Sequence, residues 1–384
     1  MRRLRYRHVF SAVGVVTTAL ILGVLWAVPR FGPRFGNQKR ALASVPAPAP
    51  SPVLLNQEPA ICKDLYRVVC HGVDEPERDP TGLVRPDVQG ERIVASIYKD
   101  VISSHPGWSP EQIDDELARR IYTPERRGRI EAAYHWVQNQ IERFIEMQPE
   151  RVFNAEEKKQ LIERVRGTLL EIPPPASVYA DEPDLLTTND VFYERTSDGD
   201  RRMRIGGAYL YTAKSWFNMV FTMGHELGHS IDPCEIRSAQ LSFPSYDRLE
   251  ACFIRTGIVA TPKDRVECDE NDQLAEAFAD WLGSQITAEA LKQFSTVYHG
   301  QQLVYATANA VRDLCEQDDD DGDLDIINHP DPHVRIGKIF GRQPEIRAIL
   351  GCTPYDQLLL QQHPSDTAAY CGFDSAIPKP KAPL

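Results

Sequence analysis

Apolar and polar positions divide the chain into stretches of different character. An uncharged run begins at Val9 and ends at Val28, preceded by Arg2, Arg3, Arg5 and Arg7. Its length is that of a helix crossing a bilayer. It is long for a cleaved signal peptide, and the nearest small-residue site, Ala41-Leu42-Ala43, lies far beyond it. The pattern therefore predicts a signal anchor at residues 9–28 behind a cytoplasmic tail of residues 1–8.

Residues 29–60 are rich in Pro and Ala, with Val45-Pro46-Ala47-Pro48-Ala49-Pro50 at their centre. That composition favours an extended spacer without a core. Between residues 86 and 172 apolar positions recur at helical spacing, with start signals at Thr123-Pro124-Glu125 and Asn154-Ala155-Glu156-Glu157. About four helices are expected there. Pro173-Pro174-Pro175 then stops helix formation. Residues 191–193 and 203–210 read as strands around the turn Ser197-Asp198-Gly199-Asp200. The expected organisation is an N-terminal segment and helical lobe at 61–172 and a catalytic domain at 173–384. The expected fold is α+β, mainly helical with a small sheet and a cleft between the two parts.

Charge and cysteine content set the compartment. The first 40 residues hold seven Arg, one Lys and no acidic residue, which leaves 35 basic against 55 acidic residues in the remainder. Such an acidic body repels nucleic acid. All eight cysteines (Cys62, Cys70, Cys234, Cys252, Cys268, Cys315, Cys352 and Cys371) follow the apolar run, and none stands in a Cys-x-x-Cys spacing. An even number without that spacing fits disulfides in an oxidising compartment, so the body is expected outside the cytosol, held by a single span. Eight cysteines allow 105 pairings, and the pattern alone does not choose among them.

The chemistry concentrates in His225-Glu226-Leu227-Gly228-His229, inside a helical stretch at 217–231 that Asp232-Pro233 ends. Two histidines one helical turn apart can bind a single zinc ion, with Glu226 beside them as general base. Further on, Glu276-Ala277-Phe278-Ala279-Asp280 places Glu276 and Asp280 on one helix face. Glu276 completes a His2Glu ligand set, one Zn2+ per chain. Asp280 is expected to accept the free ring N–H of a ligand histidine, His225. Three protein ligands leave a coordination position for water, the mark of a catalytic site. The acidic tract at residues 318–325 resembles a calcium loop only in composition. Gln317 falls at the first ligand position and Asn328 where a bidentate Glu is needed, so a solvated loop is expected.

These residues resemble the neprilysin and endothelin-converting-enzyme family of zinc metallopeptidases, in which Gly-His-Glu-x-x-His-x-x-Asp precedes a Glu-x-x-x-Asp helix. Here the first motif runs over residues 224–232. His329, Arg335, Glu345 and Cys352 fall at the intervals of the family's C-terminal motif. Cys62-Lys63-Asp64-Leu65-Tyr66-Arg67-Val68-Val69-Cys70 looks like the segment that follows the family's membrane anchor. The likeness covers about residues 61–75 and 190–371. It departs in a much reduced helical lobe and in lacking Asn-Ala-Tyr/Phe near Phe192-Tyr193-Glu194.

The resemblance implies a membrane-anchored metalloendopeptidase acting on peptides or proteins. His329 would donate to the oxyanion of the tetrahedral intermediate, and Arg335 would bind a substrate carbonyl. It also implies Cys62 joined to Cys352, Cys70 to Cys315, and Cys252 to Cys371, which leaves Cys234 with Cys268. Two other readings stand beside it. Membrane proteases of the CAAX-processing and heat-shock type share several of these motifs but usually have several spans and lack these cysteines. A non-catalytic zinc- or peptide-binding ectodomain would have kept the fold and lost turnover, and no missing residue in this chain supports that reading.

Overall fold

The computed structural model describes residues 58–71, 86–212, 215–259, 268, 273–297, 299–318, 329–355 and 370–375. The expected membrane span, most of the Pro/Ala spacer and nearly all of the acidic tract lie outside the described residues. Among the described residues no helix is long and apolar enough to cross a membrane.

Two short helices, α1 (Ala60–Lys63) and α2 (Leu65–Cys70), open the described chain. Four longer ones follow: α3 (Pro86–Ser104), α4 (Pro110–Ile121), α5 (Pro124–Met147) and α6 (Ala155–Arg166). Their starts obey the local rules read from sequence. Ser109 and Gln112 cap α4 reciprocally, Asn154 and Glu157 do the same for α6, and Pro124 opens α5. The expectation of helix up to residue 172 overshoots, because β1 (Thr168–Glu171) ends the lobe.

After α7 (Ala176–Asp181), the strands β2 (Val191–Arg195) and β3 (Arg201–Ile205) complete a three-stranded sheet of order β1-β3-β2. Strand β1 runs parallel to β3, and β2 antiparallel to it with Tyr193 opposite Met203. One edge of the sheet is therefore β2. The expected strand at 203–210 stops at Ile205 because the chain must pass under residues 186–188. A Cβ on Gly206 would meet the Thr188 carbonyl oxygen at 2.3 Å, and one on Gly207 the Leu186 oxygen at 1.9 Å. The short helix α8 (Tyr209–Thr212) takes the place of the strand's end.

The remaining elements are α9 (Trp216–Gly228), α10 (Pro233–Ser238), α11 (Pro244–Arg255), α12 (Gln273–Phe294) and α13 (Gln301–Val311). A π-helix, α14 (His333–Phe340), and α15 (Pro344–Ile349) follow. The fold is mainly helical with one small sheet, an α+β arrangement. Helices α9 and α12 approach closely because small residues face each other. A Cβ on Gly224 would stand 3.1 Å from the Gly283 Cα, and one on Gly228 3.2 Å from the Ala279 Cα. This contact sets His225 and His229 against Glu276 and Asp280. Around it Phe153, Tyr246, Phe278, Trp281 and Phe373 form an aromatic core, with Phe153 and Phe373 centroids 4.8 Å apart.

Four disulfides brace the molecule: Cys62–Cys352, Cys70–Cys315, Cys234–Cys268 and Cys252–Cys371. Three of these are the pairs implied by the family resemblance, and Cys234–Cys268 is the pair that those three leave over. Two of them fasten α1 and α2 to the C-terminal region. The Arg347 guanidinium adds to that clasp, reaching the Glu58 carboxylate and the Cys62 and Thr353 carbonyls. Cross-links closing loops of 290 and 245 residues stabilise chiefly by restricting the unfolded chain, by several kcal/mol each.

Candidate metal centre

Helix α9 starts where Ser215 accepts a bond from the Asn218 N–H, and it runs through the His-Glu-x-x-His stretch. A 3₁₀ turn at His229–Ile231 and the Asp232 cap of α10, with Pro233 behind it, end the helix and fix the direction of the His229 ring. Each imidazole is oriented by a carboxylate. His225 Nδ1 lies 2.9 Å from Asp280 Oδ1, and His229 Nδ1 lies 3.1 Å from Asp232 Oδ2. With Nδ1 carrying the proton in both rings, the two Nε2 atoms are acceptors, and they stand 3.2 Å apart.

The Glu276 carboxylate joins them from α12. Its Oε2 is 3.1 Å from His225 Nε2 and its Oε1 is 3.5 Å from His229 Nε2. Three electron-pair donors converging without hydrogens between them repel one another, unless a cation lies among them or protons are gathered. Two nitrogen ligands of one tetrahedral zinc ion stand about 3.3 Å apart. The spacings match that figure, so His225, His229 and Glu276 can hold one metal ion, with Asp280 and Asp232 as the outer carboxylates that orient the rings.

Electrostatics follow from the crowding. Burial works against a charged His225 ring, but Asp280 and Glu276 outweigh it and push the imidazole up to about 9. His229 is raised well above its ordinary value, with Glu276 and Asp232 overcoming burial. Burial would raise Glu276, yet the neighbouring histidines hold it well below the usual carboxylate range. Asp280 is held at about 2, where Arg335 and then His225 defeat its complete burial. Glu226 behaves oppositely. Desolvation dominates and pushes it up to about 7, the range of a general base working at neutral pH.

Glu226 Oε1 lies 3.9 Å from His225 Nε2, and its Oε2 accepts the Tyr193 backbone N–H at 2.7 Å. The Glu226 carboxylate is thus tied to the edge strand. Sequence reading did not find this contact, since a backbone donor carries no residue signature. It found Asp232 only as a helix end and part of the family motif. His329 Nε2 stands 2.9 Å from Glu276 Oε2, with its ring stacked 6.4 Å from that of His225. Arg335, carried by the π-helix α14, grips Asp280 with two nitrogens, Nε to Oδ2 at 2.7 Å and Nη2 to Oδ1 at 2.9 Å. All seven residues singled out from the sequence therefore belong to one cluster, although Arg335 enters it through Asp280. No protein-family model, curated protein or solved structure matches this chain.

Proposed function

We propose that this protein is a membrane-anchored zinc metallopeptidase, a shortened relative of the neprilysin type, acting outside the cytosol. The observation that carries the reading is the convergence of His225 Nε2, His229 Nε2 and a Glu276 carboxylate at 3.1–3.5 Å, with Glu226 alongside. A donor set of two imidazoles and one carboxylate suits zinc, and its three members are those of catalytic zinc sites. The disulfide framework supports the family assignment, because Cys62–Cys352, Cys70–Cys315 and Cys252–Cys371 agree with the pairs of the resemblance.

Zinc, when bound, supplies an acidified water and a Lewis acid for the scissile carbonyl. Glu226, aimed by the Tyr193 N–H, takes the proton of the attacking water and later returns it to the leaving amine. His329 Nε2 meets Glu276 Oε2 at 2.9 Å, and from there its Nε2–H can turn from that carboxylate to the developing oxyanion. Asp280 and Asp232 hold the ligand rings, and Arg335 holds Asp280. Strand β2 has an edge beside Glu226, so an extended peptide can add to it as a further strand.

Metal analysis of the purified full-length protein and its Glu276→Ala variant tests this reading. The expected result is one zinc per chain in the parent and a large loss of zinc affinity in the variant. A parent that binds no zinc at micromolar free metal would refute it.

A further inference from the structure

Beside the metal cluster, three arginines converge on one carboxylate. Arg164 Nη1 lies 2.9 Å from Glu235 Oε1, Arg201 Nη1 3.8 Å from the same oxygen, and Arg195 Nη1 3.4 Å from Oε2. Arg195 also donates to Ser238 Oγ at 2.7 Å. One buried negative charge thus faces three positive ones. Asp232, a second carboxylate that acts on Tyr193, is engaged by His229 and by the Glu235 N–H. Two donors of this patch, the Tyr193 hydroxyl and the Arg201 Nε–H, are buried and find no acceptor among the described residues. Buried donors without acceptors are uncommon, and here both sit in a field of excess positive charge.

The patch is placed to meet a substrate. The Tyr193 ring lies 6.0 Å from the His229 ring, while its backbone N–H holds the base. Arg195 is the next residue on the same face of β2, about 7 Å further along the strand. A peptide added to the edge of β2 brings a side chain across from Arg195 within one or two residues of the bond that Glu226 addresses. Guanidinium forks match carboxylates in both charge and shape.

We propose that Tyr193, Arg195 and Arg201 form a carboxylate-recognising subsite, so that the enzyme prefers peptides carrying a carboxylate one or two residues from the cleaved bond. This rests on the peptidase reading. The carboxylate is either an acidic side chain or the peptide's own C-terminus, and the two are separable by experiment.

The test uses zinc-loaded full-length protein and a peptide it cleaves, remade with Glu or Gln at each position near the bond and with a free or amidated C-terminus. The expected kcat/KM ratio of carboxylate to amide is at least about tenfold at one position. Arg195, 42% exposed, is the most open of the three and is the one to change. In Arg195→Gln the ratio should fall to near one, in Arg195→Lys part of it should remain, and in Arg195→Glu the preference should pass to Lys at that position. A purely structural role would alter melting temperature without moving the preference. The same peptides are titrated calorimetrically into zinc-loaded Glu226→Gln protein, where the same tenfold discrimination is expected. Equal handling of carboxylate and amide peptides in both assays overturns the subsite and leaves the peptidase reading standing. Absence of any hydrolysis overturns the peptidase reading, while the binding titration still decides the subsite.

Discussion

The Nε2 atoms of His225 and His229 face each other at 3.2 Å, each ring held from behind by its own aspartate. In the metal-free protein this arrangement gathers protons, with His225 raised to about 9. A metal ion must displace them. Apparent zinc affinity should therefore rise with pH between 6 and 9, because fewer protons compete as pH increases. Competition titrations with a zinc-sensitive dye check this, and an affinity flat across that range would contradict it. Saturating zinc should also raise the melting temperature, since an ion at a thousand times its Kd stabilises by about 4.1 kcal/mol.

Glu226 gives a pH-dependent stability of known sign. Its folded value of about 7 lies above the ordinary 4.5, so between those values the folded state holds more protons than the unfolded one. Stability of the metal-free protein then falls as pH rises through that window, at a cost of roughly 3 kcal/mol when complete. Glu226→Gln mimics the protonated acid. The variant should melt above the parent at pH 8 and close to it at pH 4.5, both without metal. Identical melting at pH 8 would show that Glu226 is not held in a desolvated site.

The fork from Arg335 to Asp280 joins groups that are 3% and 0% exposed. Truncating one partner of such a pair leaves a buried charge uncompensated, at about 3–5 kcal/mol. Arg335→Ala should therefore lower the denaturation midpoint and loosen zinc binding through Asp280 and His225, in addition to any rise in KM from a lost substrate contact. A stable, fully zinc-binding Arg335→Ala protein with only a higher KM would show that the arginine serves substrate alone.

Much of the site was legible because it is written in helical spacing. His225 and His229, and likewise Glu276 and Asp280, stand four residues apart, which puts each pair on one face. Three disulfides came from the resemblance and the fourth from the two cysteines they left over, since eight cysteines by themselves leave the pairing open. Contacts that join distant segments without a local pattern were not legible. The Tyr193 N–H reaches Glu226 from a strand 33 residues upstream. The hold of Arg335 on Asp280 spans 55 residues. Strand β1 was read as the tail of a helix because its four residues pair in parallel with β3, a partner more than 30 positions away. The early end of β3 did have a signal in Gly206-Gly207, whose need for a close backbone crossing only the fold reveals.

His329 sits 2.9 Å from Glu276 Oε2 and is 28% exposed, on the open side of the cluster. A donor to the developing oxyanion is worth about 10²–10³ in kcat. His329→Ala should lower kcat by about a hundredfold or more, with zinc content and KM little changed. Wild-type kcat in a folded, zinc-loaded variant would make this histidine a prop for Glu276 and nothing more.

The central claim is that the clustered groups hydrolyse peptide bonds with Glu226 as base. The most direct measurement compares hydrolysis of a broad peptide mixture by zinc-loaded wild type and zinc-loaded Glu226→Gln protein, followed by mass spectrometry. Cleavage by the wild type that a chelator abolishes and zinc restores, together with none by a Glu226→Gln protein of equal zinc content, is the predicted result. Undiminished cleavage by the zinc-replete variant, or none by the zinc-replete wild type, would contradict it.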